Sequence, residues 1–355
     1  MWPSRERVRR MPDLRVAVVG ATGAVGPEVL AILAERGFPA SEVVPFASAR
    51  SAGTTVEYAG EQLTVQELTE DALEGFDLAL FSAGGSTSRR FAPEAVRRGC
   101  VVVDKSSAFR MEPGVPLVVP EVNGEAAAAH RGIVANPNCS TIQLVMALKP
   151  LHDAARLRHV TIATYQAVSG SGNRAVEELR SQSLALLQGD AVQLDVYPHP
   201  IAFNALPQCD VFDGDETTEE IKLVKETHKI LGDDEIAISA TCVRVPVWRS
   251  HSEAVWIETE RPLSAADAGE LLAAAPGVRV VDEPGAARYP TPAHASGTDD
   301  VLVGRIREDR SRRNGLALWV VADNLRKGAA LNGVQIAELL VERGLVRVPE
   351  QEQVA

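Results

Sequence analysis

The sequence predicts an α/β protein of two domains, a mostly parallel sheet with helices on both faces followed by an α+β domain. Three observations lead there. The chain has 355 residues, more than one ordinary core needs and comfortable for two. Through the first 135 or so, short apolar runs alternate with helical spacing. Beyond Cys139 the runs lengthen and begin to alternate apolar with polar.

LRVAVVG (Leu14 to Gly20) has the pattern of a buried strand. Val25, Val29, Ile32 and Leu33 then recur at helical spacing up to Gly37, a residue suited to a helix C-cap. EVVPFAS, FDLALFSAG and CVVVDKS are further strands, and Ser86 to Gly99 reads as a helix between two of them. ANPNCST leads into a helix marked by Ile142, Val145, Met146 and Leu148. RHVTIATYQAVSG, EIAISATCVRVPV and HSEAVWIETE supply the strands of a second large sheet, which ends near NGLALWVVAD. A last helix, Gly328 to Arg343, returns to the first domain. The expected division is a leader over 1–13, the first domain over 14–138, the second over 139–325, the returning helix over 326–345 and a tail over 346–355.

Composition narrows the function. A net charge of -12 argues against a nucleic-acid binder, which needs a basic face to replace phosphate counterions. No apolar run reaches the length of a membrane span, and the basic opening MWPSRERVRR lacks the apolar stretch of a secretory signal. Four cysteines without CxxC spacing or a His/Cys ligand cluster fit a reduced cytoplasmic protein with no metal site.

Gly20 to Gly26 reads GATGAVG between a buried strand and a helix start, where a nucleotide loop belongs. Gly20 and Gly23 let the backbone approach a pyrophosphate, and the helix N-terminus favours its charge. The first domain is therefore expected to be Rossmann-like and to bind a dinucleotide. After the second strand, FASARSAG offers Ser48, Arg50 and Ser51 and no carboxylate, which favours NADP over NAD. A polar surface loop would carry the same residues.

Cys139, in NPNCST, stands at the start of a helix with Ser140 and Thr141 beside it as cap-type residues. Positive charge at that terminus favours a thiolate, and amides around Asn138 are candidate oxyanion donors. Cys100, Cys209 and Cys242 lack such surroundings and read as core. Arg244 and His251 flank a turn, Pro246 to Arg249, and are expected to face each other across a hairpin. The histidine suits proton transfer and the arginine a carboxylate clamp. Thr217 and Glu220 have capping-box spacing, and Glu219 and Lys222 share a face of the helix they open. By themselves those two are an ordinary surface pair.

These motifs in this order resemble the aspartate-semialdehyde dehydrogenase family. GATGAVG, ASARSAG, SSAFRM, NPNCST, TYQAVSGSG, YPHPIAFNALPQ, EEIK, CVRVPV, HSEAV and DNLRKGAALNGVQIAE carry the resemblance from Leu14 to Glu338. It implies that Cys139 is the acyl-thioester nucleophile and His251 the acid/base. Gln166 and Arg244 would hold the amino-acid end of the substrate, with Glu219 at its amino group, and Arg110 and Lys222 would bind phosphate. Gly20, Thr22, Gly23, Ala24, Val25, Ser48, Arg50, Ser51, Ser169, Gly170 and Asn324 would line the NADP site. The implied reaction is reductive dephosphorylation of aspartyl phosphate to aspartate semialdehyde, by a homodimer or homotetramer built through the second domain. Two positions depart from the family pattern: Ser250 precedes the histidine where Gly is usual, and NGVQIAE stands for NAVQIAE at Gly333.

Two alternatives stand beside this reading. An enzyme of the same chemistry acting on N-acetyl-glutamyl phosphate or glyceraldehyde phosphate would keep Cys139 and His251, but Arg244, Gln166 and Glu219 favour a free amino acid. A non-catalytic relative would not need Cys139 and His251.

Overall fold

The computed structural model describes residues 14–347, so the leader expected over 1–13 and all but the first two residues of the tail lie outside the described residues. The first sheet begins with β1 (Leu14–Val19), a nearly uniformly apolar strand that suits the centre of a sheet covered on both faces. α1 (Gly26–Glu35) follows it, then β2 (Ala40–Ala47), a hairpin of β3 (Thr55–Tyr58) and β4 (Glu61–Thr64), and a short edge strand β5 (Gln66–Glu67). β6 (Leu78–Phe81), α2 (Gly85–Arg97), β7 (Val101–Asp104), the single turn α3 (Pro120–Asn123) and β8 (Ile133–Ala135) complete this half. The strands pair in the order β5-β2-β1-β6-β7-β8, all parallel.

The two-residue period of a strand sends alternate side chains to opposite layers. Val16 and Val18 pack with Val29, Leu33, Leu331 and Val334, whereas Ala17 and Val19 pack with Phe46, Phe81 and Phe91. The first of these layers is built from α1 and the last helix, α9, described below.

The second half opens with α4 (Cys139–Ala155), β9 (Leu157–Gln166) and α5 (Asn173–Gln188). A small ribbon, β10 (Phe212–Asp213) with β11 (Glu216–Thr217), leads into α6 (Thr218–Leu231). The capping box forms as expected, Thr217 and Glu220 each satisfying the other's backbone N–H. Then come β12 (Ala237–Arg244), β13 (His251–Thr259), α7 (Ala265–Ala274), β14 (Val278–Val280), the turn α8 (Pro292–Ala295), β15 (Val301–Glu308) and β16 (Gly315–Ala322). Their order is β12-β9-β13-β16-β15-β14. The chain leaves β16 through a π turn at Arg326–Ala330 into α9 (Leu331–Glu342), so the returning helix starts with a wider turn than a regular helix has.

The expected hairpin between Arg244 and His251 does not form. β9 lies between the two strands, parallel to β12 and antiparallel to β13. The connection over 245–250 arches across the end of β9, where the Val168 and Ser169 N–H groups donate to the carbonyls of Val247 and Trp248. A strand as apolar on its inner face as β9 is worth more with a neighbour on each edge than at a rim.

α4, α6 and α7 cover one face of this second sheet. The other face carries Thr161, Ala163, Ala254 and Trp256, with Tyr165 exposed and packed at a tilt against Trp319, ring centroids 5.4 Å apart. Among the described residues no helix is long and apolar enough to cross a membrane.

Candidate active site

Register places the chemistry. β9 and β12 both end at one rim of the second sheet, Gln166 opposite Arg244, and β13 starts there with His251. α4 starts at the same rim with Cys139, and the end of the first sheet faces it across a cleft of about 650 Å³. Cys139, Gln166, Glu219, Lys222, Arg244, His251, Arg110, Ser169, Gly170 and Asn324 all line that cleft.

The residue capping α4 is Asn138. Its Oδ1 accepts the Ser140 N–H at 2.9 Å, the role expected of Ser140 and Thr141. The Asn138 N–H is not free for an oxyanion either, because it donates to Glu226 Oε2 at 2.7 Å. The Cys139 N–H, the first of the helix, has no acceptor of this kind among the described residues and remains as an amide donor at this corner. Cys139 is half-buried with its sulfur toward the cleft, while Cys100, Cys209 and Cys242 are enclosed. The thiolate expected from the helix terminus does not prevail. Burial and then the Glu219 carboxylate push the thiol up to about 11, against the pull of Lys105, Arg244 and Arg110.

His251 is fully buried, and its Nδ1 accepts the Ala167 N–H at 3.0 Å. A neutral ring so bonded carries its proton on Nε2, which has no partner among the described residues. Burial and then Arg244 hold its pKa well below the usual histidine value, so the ring is neutral. Arg244 donates from Nη1 to the Ala167 carbonyl at 2.7 Å, and its Nε is unpartnered. Arg244 and His251 do meet, over Gly170 rather than across a turn. A Cβ there would lie 3.0 Å from Arg244 Nη1 and 3.2 Å from His251 Nε2. Ser250, just before the histidine, has φ +75°, the left-handed region that favours glycine. Its N–H is held by Asn324 Oδ1 at 2.8 Å and its hydroxyl pairs with Ser296, which offsets the strain.

Gln166 Nε2 donates to Ser140 Oγ and to Glu219 Oε1. Glu219 also takes the Asn138 amide at 3.0 Å. Lys222 reaches Asp210 at 2.6 Å and Glu219 at 3.5 Å. Arg110 is buried with Nε on the Asn136 carbonyl, Nη2 on the Lys105 carbonyl and Nη1 on Glu226. Two of its five N–H groups are left for a ligand.

The glycine loop fits a dinucleotide. Gly20 has φ +87° and no space for a side chain, since a Cβ would stand 2.8 Å from the Ser82 carbonyl carbon. α1 has no side-chain cap, so its first N–H groups point open into the loop. Of this stretch only Ala24 and Val25 reach the cleft, while Thr22 and Gly23 are exposed above it. Ser48, Arg50 and Ser51 sit in a turn just after β2, outside the cleft lining. Ser169 Oγ donates to Asn324 Oδ1 at 3.1 Å. Arg249 ties the two halves around this region, pairing with Glu28 of α1 and with buried Asp323.

The NAD-binding domain of semialdehyde dehydrogenases matches residues 15–130, and their dimerisation domain matches residues 148–327. The chain is 54% identical to aspartate-semialdehyde dehydrogenase of Aquifex aeolicus over 94% of its length and 99% of the relative's. This chain belongs to the aspartate-semialdehyde dehydrogenase family. The Bacillus subtilis aspartate-semialdehyde dehydrogenase is 52% identical over 94% of this chain and 99% of its own. Among solved structures, aspartate semialdehyde dehydrogenase II of Vibrio cholerae, complexed with ASA, superposes with TM-score 0.91 at 47% identity, covering 93% of this chain and 98% of that one. The Candida albicans enzyme, solved with NADP, superposes with TM-score 0.72 at 26% identity over 94% and 99%.

Lys105 and Asp210, which line this family member's cleft, escaped the sequence reading, and so did Glu226, which stands behind the lining on Arg110 and the Asn138 N–H. Glu226 had a signal, since Glu219, Lys222 and Glu226 lie at i, i+3 and i+7 on one face of α6. Asp210 had none, because a loop carries no period that says where its carboxylate points.

Proposed function

We propose that this protein reduces L-aspartyl 4-phosphate to L-aspartate 4-semialdehyde with release of phosphate, reversibly, through a thioester on Cys139. The observation that carries the proposal is the convergence of Cys139 with neutral His251, Arg244 and Gln166 in one cleft. The relatives named above for aspartate semialdehyde, one solved with ASA, support the substrate.

Cys139 sulfur attacks the acyl carbon, the C–O bond to phosphate breaks, and the thiol's proton ends on the departing phosphate. Arg110, through its two unused N–H groups, and Lys222 offset the phosphate charge. The open end of α1 and the turn at Ser48, Arg50 and Ser51 suit NADPH, which supplies a hydride when bound. His251 Nε2–H and the Cys139 N–H donate to the carbonyl oxygen as it gains charge. The tetrahedral adduct then collapses, restoring the thiolate and freeing the aldehyde. Arg244 holds the substrate carboxylate, with Gln166 and Glu219 toward its amino group.

Apolar and aromatic residues on the uncovered face of the second sheet support assembly through that face, as a homodimer or a pair of dimers, in the cytoplasm. The deciding experiment is phosphate-dependent NADP reduction with aspartate semialdehyde, run beside N-acetyl-glutamate semialdehyde. Turnover of the acetylated compound at an equal or higher kcat/KM would overturn the substrate assignment.

A further inference from the structure

Lys222 and Asp210 both line the cleft, with Lys222 Nζ 2.6 Å from Asp210 Oδ2 and 3.5 Å from Glu219 Oε2. An ammonium has three N–H groups, so one is left for an anion that enters. The carboxylates beside the cations of this cleft differ in how firmly they are held. Glu219 Oε1 also accepts Asn138 Nδ2 at 3.0 Å and Gln166 Nε2 at 3.1 Å. Glu226, the partner of Arg110, has a second bond on the Asn138 N–H, and its side chain is 1% exposed. The Asp210 side chain is 46% exposed, and Lys222 is its one ion-pair partner among the described residues.

The backbone puts that carboxylate where it is. Asp210 has φ +70°, a conformation that aspartate and asparagine adopt more readily than other residues bearing a side chain. Cys209 before it is buried in the core under the second sheet, and the Val211 carbonyl after it accepts the Thr218 N–H at the start of α6. The left-handed residue between these two anchors carries its carboxylate out to Lys222.

We propose that Asp210 is a specificity-determining residue of the phosphate subsite: it holds Lys222 as a competing anion and yields it when phosphate enters. This rests on Lys222 being a phosphate-binding cation of the proposed reaction. A partly exposed ion pair is cheap to break and a buried one is not, so the exchange takes place at Lys222 rather than at Arg110. Part of the attraction of phosphate to Lys222 is then spent on displacing the carboxylate, which is at hand to take the ammonium back as phosphate leaves.

The test is binding of inorganic phosphate to the whole protein, followed by phosphorus NMR line broadening at fixed ionic strength, with no nucleotide or semialdehyde present. Asp210→Asn keeps the size and suits the left-handed backbone but removes the charge, and it should bind phosphate about threefold to fivefold more tightly than the parent. In a Lys222→Gln background the same substitution should lose most of that gain. Equal gains in both backgrounds overturn the proposal, since they mark general repulsion rather than competition for the ammonium. Unchanged binding in Asp210→Asn overturns it, as does weaker binding, the mark of a carboxylate that holds Lys222 in place for phosphate. A parent and variant that both fail to bind phosphate overturn it as well. Where Asp210→Asn loses its native circular dichroism, Asp210→Gly, unstrained at positive φ, takes its place under the same criteria. Because no turnover enters the measurement, a protein inactive on aspartate semialdehyde can still pass it and an active one can fail it, so the two readings fail separately.

Discussion

Replacing Glu226 by glutamine probes the buried joint between Arg110 and the start of α4. The carboxylate is 1% exposed on its side chain, with Oε1 accepting Arg110 Nη1 at 2.9 Å and Oε2 accepting the Asn138 N–H at 2.7 Å. A glutamine has one acceptor oxygen to offer, and its NH2 must then face the other donor. One charged hydrogen bond is lost, about 1.5–3 kcal/mol. Leaving the Arg110 charge without its partner brings the stability loss toward about 3–5 kcal/mol. The same loosening moves the Asn138–Cys139 corner, so kcat/KM should fall about tenfold to a hundredfold. Glu220→Gln is the control. That carboxylate, on the same helix, also accepts two N–H donors, from Thr217 and Cys242, but neither of those residues lines the cleft as Arg110 and Asn138 do. Urea unfolding followed by circular dichroism, steady-state kinetics and Cys139 alkylation should show both variants destabilised and only Glu226→Gln slowed. Equal kinetic loss in both, or a Glu226→Gln enzyme as active as its parent, would refute the joint.

Cys139→Ser should abolish turnover while leaving nucleotide binding intact, since an alcohol is not ionised near neutrality; substantial residual activity contradicts the thioester. Arg244→Lys should weaken semialdehyde use about tenfold to a hundredfold and spare the KM for phosphate, with Lys222→Ala doing the reverse, and parallel losses in both would show that the pocket is not divided this way. Glu253 is fully buried beneath α4 without a firm partner, and burial holds its pKa well above the usual carboxylate value. The folded state therefore binds the extra proton. Stability is fully present below the unfolded pKa and falls as pH rises from there toward the folded one, so Glu253→Gln should unfold later in urea at neutral pH but gain little at pH 4; an equal shift at both rules out titration. Gly333→Ala should stabilise the protein by about 1 kcal/mol, because it fills a helical position whose Cβ would meet only Asn136 Oδ1 at 3.9 Å; a lower melting temperature would show hidden crowding.

The sequence alone determined the elements whose signals are local. Uniform apolar runs such as LRVAVV specify central parallel strands because nothing else buries both faces. The Thr217–Glu220 capping box, the glycine loop at Gly20 and the helix start at Cys139 are written in a few consecutive residues, each satisfying neighbouring backbone groups. The family motifs extended this to residues far apart in the chain and assembled the cleft residues in outline. Only the tertiary structure decided which strand lies between β12 and β13, and hence that Arg244 and His251 meet over Gly170 rather than across a hairpin. It also assigned the hydrogen bonds that use up the Asn138 amide and His251 Nδ1. The thiol's pKa belongs to the same class, because Asn138 and Cys139 promise a helix terminus while the burial, Glu219 and Lys105 that surround the sulfur come from other elements. Strand pairing and electrostatics sum over distant segments, and no short window of sequence holds the terms of those sums.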